Sequence, residues 1–74
     1  MNPPLPRVSG ADVVRALGRV GFIHVSQRGS HVELRSEAGR VVIVPMHREL
    51  KPGTLRSIIR QSGLDVDALV ELLG

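Results

Sequence analysis

Hydrophobic residues recur at helical spacing in three segments of the chain, and residues that favour helix ends flank each segment. The first helix is predicted to begin after Ser9, with Asp12 completing a capping box, and to end at Gly21. The second begins at Pro52, because proline suits a first helical turn, and ends at Gly63. The apolar stripes are Val13, Val14, Leu17 and Val20 in the first helix, Leu55, Ile58 and Ile59 in the second, and Val66, Leu69, Val70 and Leu73 in a third helix that Asp65 caps.

Between the first two helices, apolar and polar residues alternate with period two, which predicts three strands. The strands cover residues 22–28, 31–36 and 40–45, with Gly29-Ser30 and residues 37–39 as turns. The order of elements is therefore α-β-β-β-α-α. It predicts an α+β fold in which a meander of three antiparallel strands carries the helices on one face.

A two-residue turn at Gly29-Ser30 sets the register of the first hairpin and places Arg28 opposite His31. Ile23 and Val25 then face the core with the apolar residues of the second strand, while His31 points outward. We therefore expect an exposed imidazole beside an arginine at the end of this hairpin.

The register of the second hairpin determines which valines of the third strand are exposed. Pairing of Arg35 with Arg40 places Val44 opposite His31 and puts Val42 on the same open face of the sheet. Exposed valines beside an imidazole indicate a surface that a partner covers. The alternative is that the last helix covers both valines.

The length of 74 residues allows one domain with one small core. The chain has no cysteine, and its three histidines, at positions 24, 31 and 47, match no zinc-site spacing, so we expect neither a metal nor another cofactor. The N-terminus has no apolar run that would form a signal peptide or membrane anchor, which predicts a cytoplasmic protein. Residues 1–6 are predicted to form a proline-rich arm and residues 7–74 the domain.

The charge is unevenly distributed along the chain. Residues 1–64 carry ten basic and four acidic side chains, whereas residues 65–74 carry three acidic ones, and nine of the ten basic residues are arginine. This pattern favours a polyanionic partner bound through phosphate contacts, and arginine suits bidentate phosphate contacts. The alternative is an arginine-rich surface that only keeps the protein soluble. Phe22 is the only aromatic residue, which disfavours binding by base stacking.

Several segments, taken in order, resemble the HicA toxins of bacterial and archaeal toxin–antitoxin pairs. Gly-Ser-His alone is a weak signal, but its combination with Gly-Thr-Leu-Arg and Arg-Gln-x-Gly-Leu is specific. The matching stretches are Val8-Ser9-Gly10, Gly21-Phe22, Arg28-Gly29-Ser30-His31, Val44-Pro45-Met46-His47 and residues 50–64, Leu-Lys-Pro-Gly-Thr-Leu-Arg-Ser-Ile-Ile-Arg-Gln-Ser-Gly-Leu.

The resemblance implies a fold similar to that of double-stranded RNA-binding domains. It also implies an endoribonuclease that cleaves mRNA and is neutralised by a HicB-type antitoxin. The family's catalytic histidine falls on His31, and Ser30 stands where the family has serine or glycine. We expect the antitoxin to bury His31 together with Val42 and Val44, and to present acidic groups towards the neighbouring arginines.

For such a nuclease, His31 is the expected general base, since RNA supplies its own nucleophile in the 2′-hydroxyl. The product would carry a 2′,3′-cyclic phosphate. Arg28 is the first candidate for stabilising the transition-state charge and Arg35 the second, while His47 is a candidate general acid. Further RNA contacts are expected from Ser30 in the turn and from Lys51 and Arg56 at the second helix.

Each of these residues also has a structural interpretation. His31 could be an ordinary surface histidine, and Lys51 could belong to a helix start stabilised by proline. Arg56 and Arg60 could complement the dipole towards the C-terminal end of their helix. Two other functional classes therefore remain: a non-catalytic RNA-binding module of the same fold, and an antitoxin-binding domain without nuclease activity.

Overall fold

The computed structural model describes residues 4–74 and has the predicted α+β architecture. The sheet is antiparallel, with the strands side by side in chain order, so the meander is confirmed. The elements are α1 (Gly10–Gly18), β1 (Ile23–Arg28), β2 (His31–Arg35), β3 (Val41–Pro45), α2 (Pro52–Ser62) and α3 (Val66–Leu73).

Most helix ends follow the local capping residues that the sequence contains, but α1 ends at Gly18, three residues before the predicted Gly21. The Ser9 hydroxyl accepts a hydrogen bond from the Asp12 N–H at 3.0 Å, and the Asp12 carboxylate accepts one from the Ser9 N–H at 3.2 Å, so the predicted capping box is present. These bonds to Ser9 lower the pKa of Asp12 below its ordinary value. Gly63 ends α2 in the left-handed conformation, with φ of 79°, and Asp65 caps α3.

Two arginines cap the C-terminal ends of helices that are distant in the chain. The Arg19 guanidinium donates to the carbonyl of Leu72 at 2.8 Å and to that of Gly74 at 3.2 Å. Arg40 donates to the Gln61 carbonyl near the end of α2 at 3.3 Å. Because the last carbonyls of a helix lack partners within the helix, these side chains stabilise α3 and α2.

The first hairpin has the predicted register at its turn, with Arg28 opposite His31 and Gly29 at φ of 55°. Beyond that point a β-bulge lies between His24 and Ser26. The bulge adds one residue to β1, so Ile23 and Val25 leave the core side and are 65% and 48% exposed. The prediction that these two residues join the core is wrong.

The second hairpin pairs Arg35 with Val41, one residue further along than predicted. Its loop has three residues, 37–39. The Gly39 N–H bonds to the Ser36 carbonyl at 3.0 Å, and Gly39 has φ of 87°. A turn followed by glycine in the left-handed region is a common three-residue hairpin loop, whereas the predicted register required a four-residue loop.

This shift of one residue reverses the faces of β3, because successive side chains point to opposite sides of a strand. Val42 and Val44 face the helices and are 0% exposed, while Val41 and Ile43 lie on the open face. The predicted exposure of Val42 and Val44 is therefore wrong. Because both side chains are buried, they offer no surface to an antitoxin, and the structure contradicts their assignment as antitoxin-binding residues.

The core lies between the sheet and the helices. Residues 4–9 form neither helix nor strand, but Leu5 and Val8 pack against the core. The boundary between an arm of residues 1–6 and the domain stays a prediction, and residues 1–3 of that arm lie outside the described part. Within residues 4–74 no helix has the length and apolarity needed to span a membrane. The buried core residues are Val13, Ala16, Leu17, Phe22, Val32, Leu34, Val42, Val44, Leu50, Leu55, Ile58 and Leu69.

Candidate active-site groove

His31 is the first residue of β2 and is exposed on the open face of the sheet, as predicted. Its pairing partners are Arg28 on β1 and Pro45 on β3. Because paired residues of adjacent strands share a face, the Arg28 and His31 side chains project from the same side of the sheet.

Two depressions meet at His31. The first, here called the sheet pocket, has a volume of about 190 Å³ and is lined by Ser26, Arg28, His31, Glu33 and Ile43. The second, here called the helix groove, lies between β3 and α2 and has a volume of about 480 Å³. Its lining comprises His31, Ile43, Pro45, His47, Gly53, Thr54, Ser57 and Gln61.

The Gln61 side chain holds α2 beside the free edge of β3. Its amide oxygen accepts the Ile43 N–H at 2.9 Å, and its amide nitrogen donates to the Ser57 hydroxyl at 3.2 Å. Ile43 pairs with Glu33 on β2, but this N–H points away from β2, so Gln61 satisfies a donor at the sheet edge. This contact is not predicted from the sequence, although Ser57 and Gln61 are four residues apart and therefore share a helix face.

The loop that follows β3 presents His47 to the helix groove. The Met46 N–H donates to the Ser30 carbonyl at 2.6 Å, which continues the strand pairing beyond Pro45. The His47 carbonyl accepts the Gly10 N–H at 2.9 Å. A side chain on Gly10 would collide with the Pro45 carbonyl oxygen, so glycine permits α1 to approach this loop closely.

The arginines predicted to bind RNA lie at different distances from His31. Arg35 lies four residues along β2 from His31, about 13 Å at the rise of a strand, and it forms an ion pair with Glu33 at 2.8 Å. Arg28 is instead the direct neighbour of His31 and lines the sheet pocket. The geometry therefore favours Arg28 over Arg35 as the cation beside the imidazole.

Lys51 and Arg56 are exposed, and both belong to the region of α2, the helix that contributes Gly53 and Thr54 to the wall of the helix groove. Lys51 immediately precedes α2, and Arg56 is a surface neighbour of Gly53, which lines the groove three residues earlier. Between residues 4 and 74, no hydrogen bond or ion pair engages the side chains of Arg28, Lys51 or Arg56. These three cations are thus available for an anionic ligand.

The structure brings together part of the predicted site. Arg28, Ser30 and His31 are adjacent at the first turn, and the helix groove adds His47 from the loop. Arg35 lies further away, and Val42 and Val44 are in the core. In the part of the chain that the structure describes, no three histidine or acidic side chains cluster closely enough to hold a metal ion.

Comparison with known proteins identifies a family that this chain matches. The family model described as the HicA toxin of bacterial toxin–antitoxin matches residues 10–64, which extend from the start of α1 to just beyond α2 and include His31 and His47. No curated protein sequence matches the chain significantly. The match covers most of the 74 residues, and the chain therefore belongs to the HicA toxin family of bacterial toxin–antitoxin pairs.

Proposed function

We propose that this toxin is an endoribonuclease that cleaves mRNA without a metal ion and uses His31 as the general base. The observation that supports this proposal is the position of His31, which is exposed where the sheet pocket and the helix groove meet, with Arg28 beside it. An RNA strand that occupies both depressions would pass directly over the imidazole. An mRNA substrate would imply action in the cytoplasm.

The reaction requires no nucleophile from the protein. Neutral His31 takes the proton of the RNA 2′-hydroxyl as the 2′-oxygen attacks the adjacent phosphorus, and the bond from phosphorus to the 5′-oxygen breaks. The products are a 2′,3′-cyclic phosphate and a 5′-hydroxyl. The Arg28 guanidinium, on the same face as His31, offers donors to the phosphate oxygens on which negative charge accumulates.

The RNA backbone on either side of the cleaved linkage would contact the free cations. Arg28 and Ser30 lie at the turn end of the sheet, Lys51 immediately precedes α2, and Arg56 lies on that helix, which forms one wall of the helix groove. This arrangement gives phosphate contacts to both sides of His31. It requires no aromatic platform, in agreement with a chain whose single aromatic residue, Phe22, is buried.

A HicB-type antitoxin would inhibit this reaction by covering His31. The apolar residues available on the open face are Val41 and Ile43 of β3 and Ile23 of β1, and Ile43 lines both depressions beside His31. A partner that buries Ile43 and places acidic groups towards Arg28 would block the base and the RNA path together.

The test compares His31→Ala with His24→Ala. Both histidines are exposed strand residues, but His24 lies opposite Leu34 and lines neither depression, so it is a matched control. We expect His31→Ala to lose roughly 10²–10⁴-fold in the rate of RNA cleavage with an unchanged urea midpoint, and His24→Ala to cleave like the wild type. Cleavage should persist in EDTA and leave cyclic phosphate ends.

The other outcomes separate the alternatives. RNA binding without cleavage by the wild type would indicate the binding module, and antitoxin binding without RNA affinity would indicate the interaction domain. A wild-type rate in His31→Ala would reject His31 as the base. Activity that EDTA abolishes and added metal restores, or 5′-phosphate ends, would reject the mechanism.

A further inference from the structure

We propose that His47 is a second catalytic residue, the general acid that protonates the leaving 5′-oxygen. This inference rests on the proposed ribonuclease function and adds the group that completes the reaction. It is carried by one observation: His31 from β2 and His47 from the loop after β3 line the same helix groove.

The strand pairing explains why the two histidines share this groove. His31 pairs with Pro45, and the bond from the Met46 N–H to the Ser30 carbonyl keeps the chain beside the turn for one more residue. His47 follows immediately and is exposed, so a substrate in the groove has access to its imidazole.

The loop backbone around His47 is held at both sides. Gly10 donates its N–H to the His47 carbonyl at 2.9 Å, and the Leu50 N–H donates to the Val8 carbonyl at 2.9 Å. These bonds use only backbone atoms, so the His47 side chain is free for chemistry while its Cα position is fixed. A fixed backbone reduces the motion that would otherwise separate an acid from its leaving group.

The other polar groups that line the helix groove are poor proton donors to an alkoxide. Thr54 and Ser57 carry hydroxyl groups and Gln61 an amide, and Ser57 and Gln61 bond to each other. Glu33 lines the sheet pocket instead and is paired with Arg35. Histidine is the residue type that exchanges protons readily near neutral pH, which leaves His47 as the acid opposite His31.

The proton balance of the reaction closes with these two residues. His31 accepts the proton from the 2′-hydroxyl, the bond from the 2′-oxygen to phosphorus forms, and the bond from phosphorus to the 5′-oxygen breaks. The protonated His47 imidazole gives its proton to the departing 5′-oxygen. The cycle ends with His31 protonated and His47 neutral, and exchange with water restores both.

The experiment uses an RNA oligonucleotide in which sulfur replaces the leaving 5′-oxygen, at a linkage that the wild type is first shown to cleave. Thiols are much stronger acids than alcohols, so a thiolate leaves without being protonated. The proteins are the wild type, His47→Ala, His47→Gln, His31→Ala and the control His24→Ala. Circular dichroism and urea unfolding verify that each variant is folded.

We expect both His47 variants to cleave the oxygen substrate roughly 10²–10⁴-fold more slowly than the wild type and the sulfur substrate at nearly the wild-type rate. His31→Ala should remain slow on both substrates, because the 2′-hydroxyl still needs its base. Wild-type cleavage of the oxygen substrate by the His47 variants would overturn the proposal. So would equal slowing on both substrates, because that result assigns His47 to binding. Absence of cleavage by the wild type would instead reject the ribonuclease function itself.

Discussion

At the scale of single residues, the three histidines have the same side chain but lie in different surroundings. His24 lies on the exposed edge strand β1, on the face opposite to His31 and away from both depressions. His31 and His47 line one groove because backbone contacts hold the loop after β3 against the first turn. Gly10 is the residue that permits this arrangement, since the Pro45 carbonyl occupies the space where its side chain would be.

Replacement of Gly10 by alanine should therefore affect both stability and catalysis. The added methyl group must displace Pro45 and Met46, which we expect to lower the free energy of unfolding by about 1–3 kcal/mol and to slow RNA cleavage by moving His47. Urea unfolding and cleavage rates measure the two effects.

Gly18→Ala is the matched control in the same helix. A methyl group at Gly18 meets no atom within 4 Å, and the residue is helical and exposed. Alanine there should leave cleavage unchanged and stabilise the protein by about 0.5–1 kcal/mol. Equal effects of the two substitutions would contradict the role given to Gly10.

At the scale of elements, the β2–β3 hairpin determines which surface a partner meets. Its three-residue loop puts Val42 and Val44 into the core and Val41 and Ile43 on the open face. Adjacent residues of β3 therefore have different roles: Val42 stabilises the fold, and Ile43 is 37% exposed beside His31.

Serine substitutions at Val42 and Ile43 should separate folding from antitoxin binding. Val42→Ser removes buried apolar surface and buries a hydroxyl group, so we expect a loss of about 2–4 kcal/mol in the free energy of unfolding. Ile43→Ser should cost about 1 kcal/mol or less in folding and weaken binding of the HicB-type antitoxin. Urea unfolding and calorimetric titration with the antitoxin measure these effects. Unchanged affinity of Ile43→Ser would show that inhibition acts through another face.

At the scale of the whole molecule, some of the basic side chains are engaged in contacts within the fold. Arg19 and Arg40 cap helices, and Arg15 and Arg35 form ion pairs with Asp12 and Glu33. The negative charge of residues 65–74 is carried by α3 and its cap. Under the proposed function, electrostatic attraction of RNA to His31 would therefore depend on cations without a partner among residues 4–74, such as Arg28 in the sheet pocket and Arg56 on α2.

RNA affinity should accordingly fall as the salt concentration rises. The steepness of that fall should depend on Arg56 but not on Arg15. In a His31→Ala background, which prevents cleavage, Arg56→Ala should reduce the slope of log affinity against log salt by about 1 or less. Arg15→Ala, which removes an arginine paired on α1, should leave the slope unchanged. Identical slopes for the two variants would place the RNA path elsewhere.

Local sequence alone determined the type and order of the six elements and most of their ends. The Ser9–Asp12 capping box, Pro52 at the start of α2 and Gly63 at its end act through neighbouring backbone groups, so they can be recognised without the fold. The opposition of Arg28 and His31 was predictable for the same reason, because a two-residue turn sets the pairing beside it.

Only the tertiary structure decided the faces of β1 and β3 and the composition of the groove. The predicted faces of β1 and β3 are reversed by one bulged residue at Val25 and by a second hairpin loop that is one residue shorter than predicted. Because side chains alternate between the two faces of a strand, a register error of one residue exchanges the faces. Local patterns leave such shifts open, and packing against the helices selects among them. The meeting of His31, His47 and α2 depends on contacts between segments far apart in the chain, including Gly10 to His47 and Gln61 to Ile43. No periodicity within one segment encodes such contacts, because they form only when the separate elements pack together.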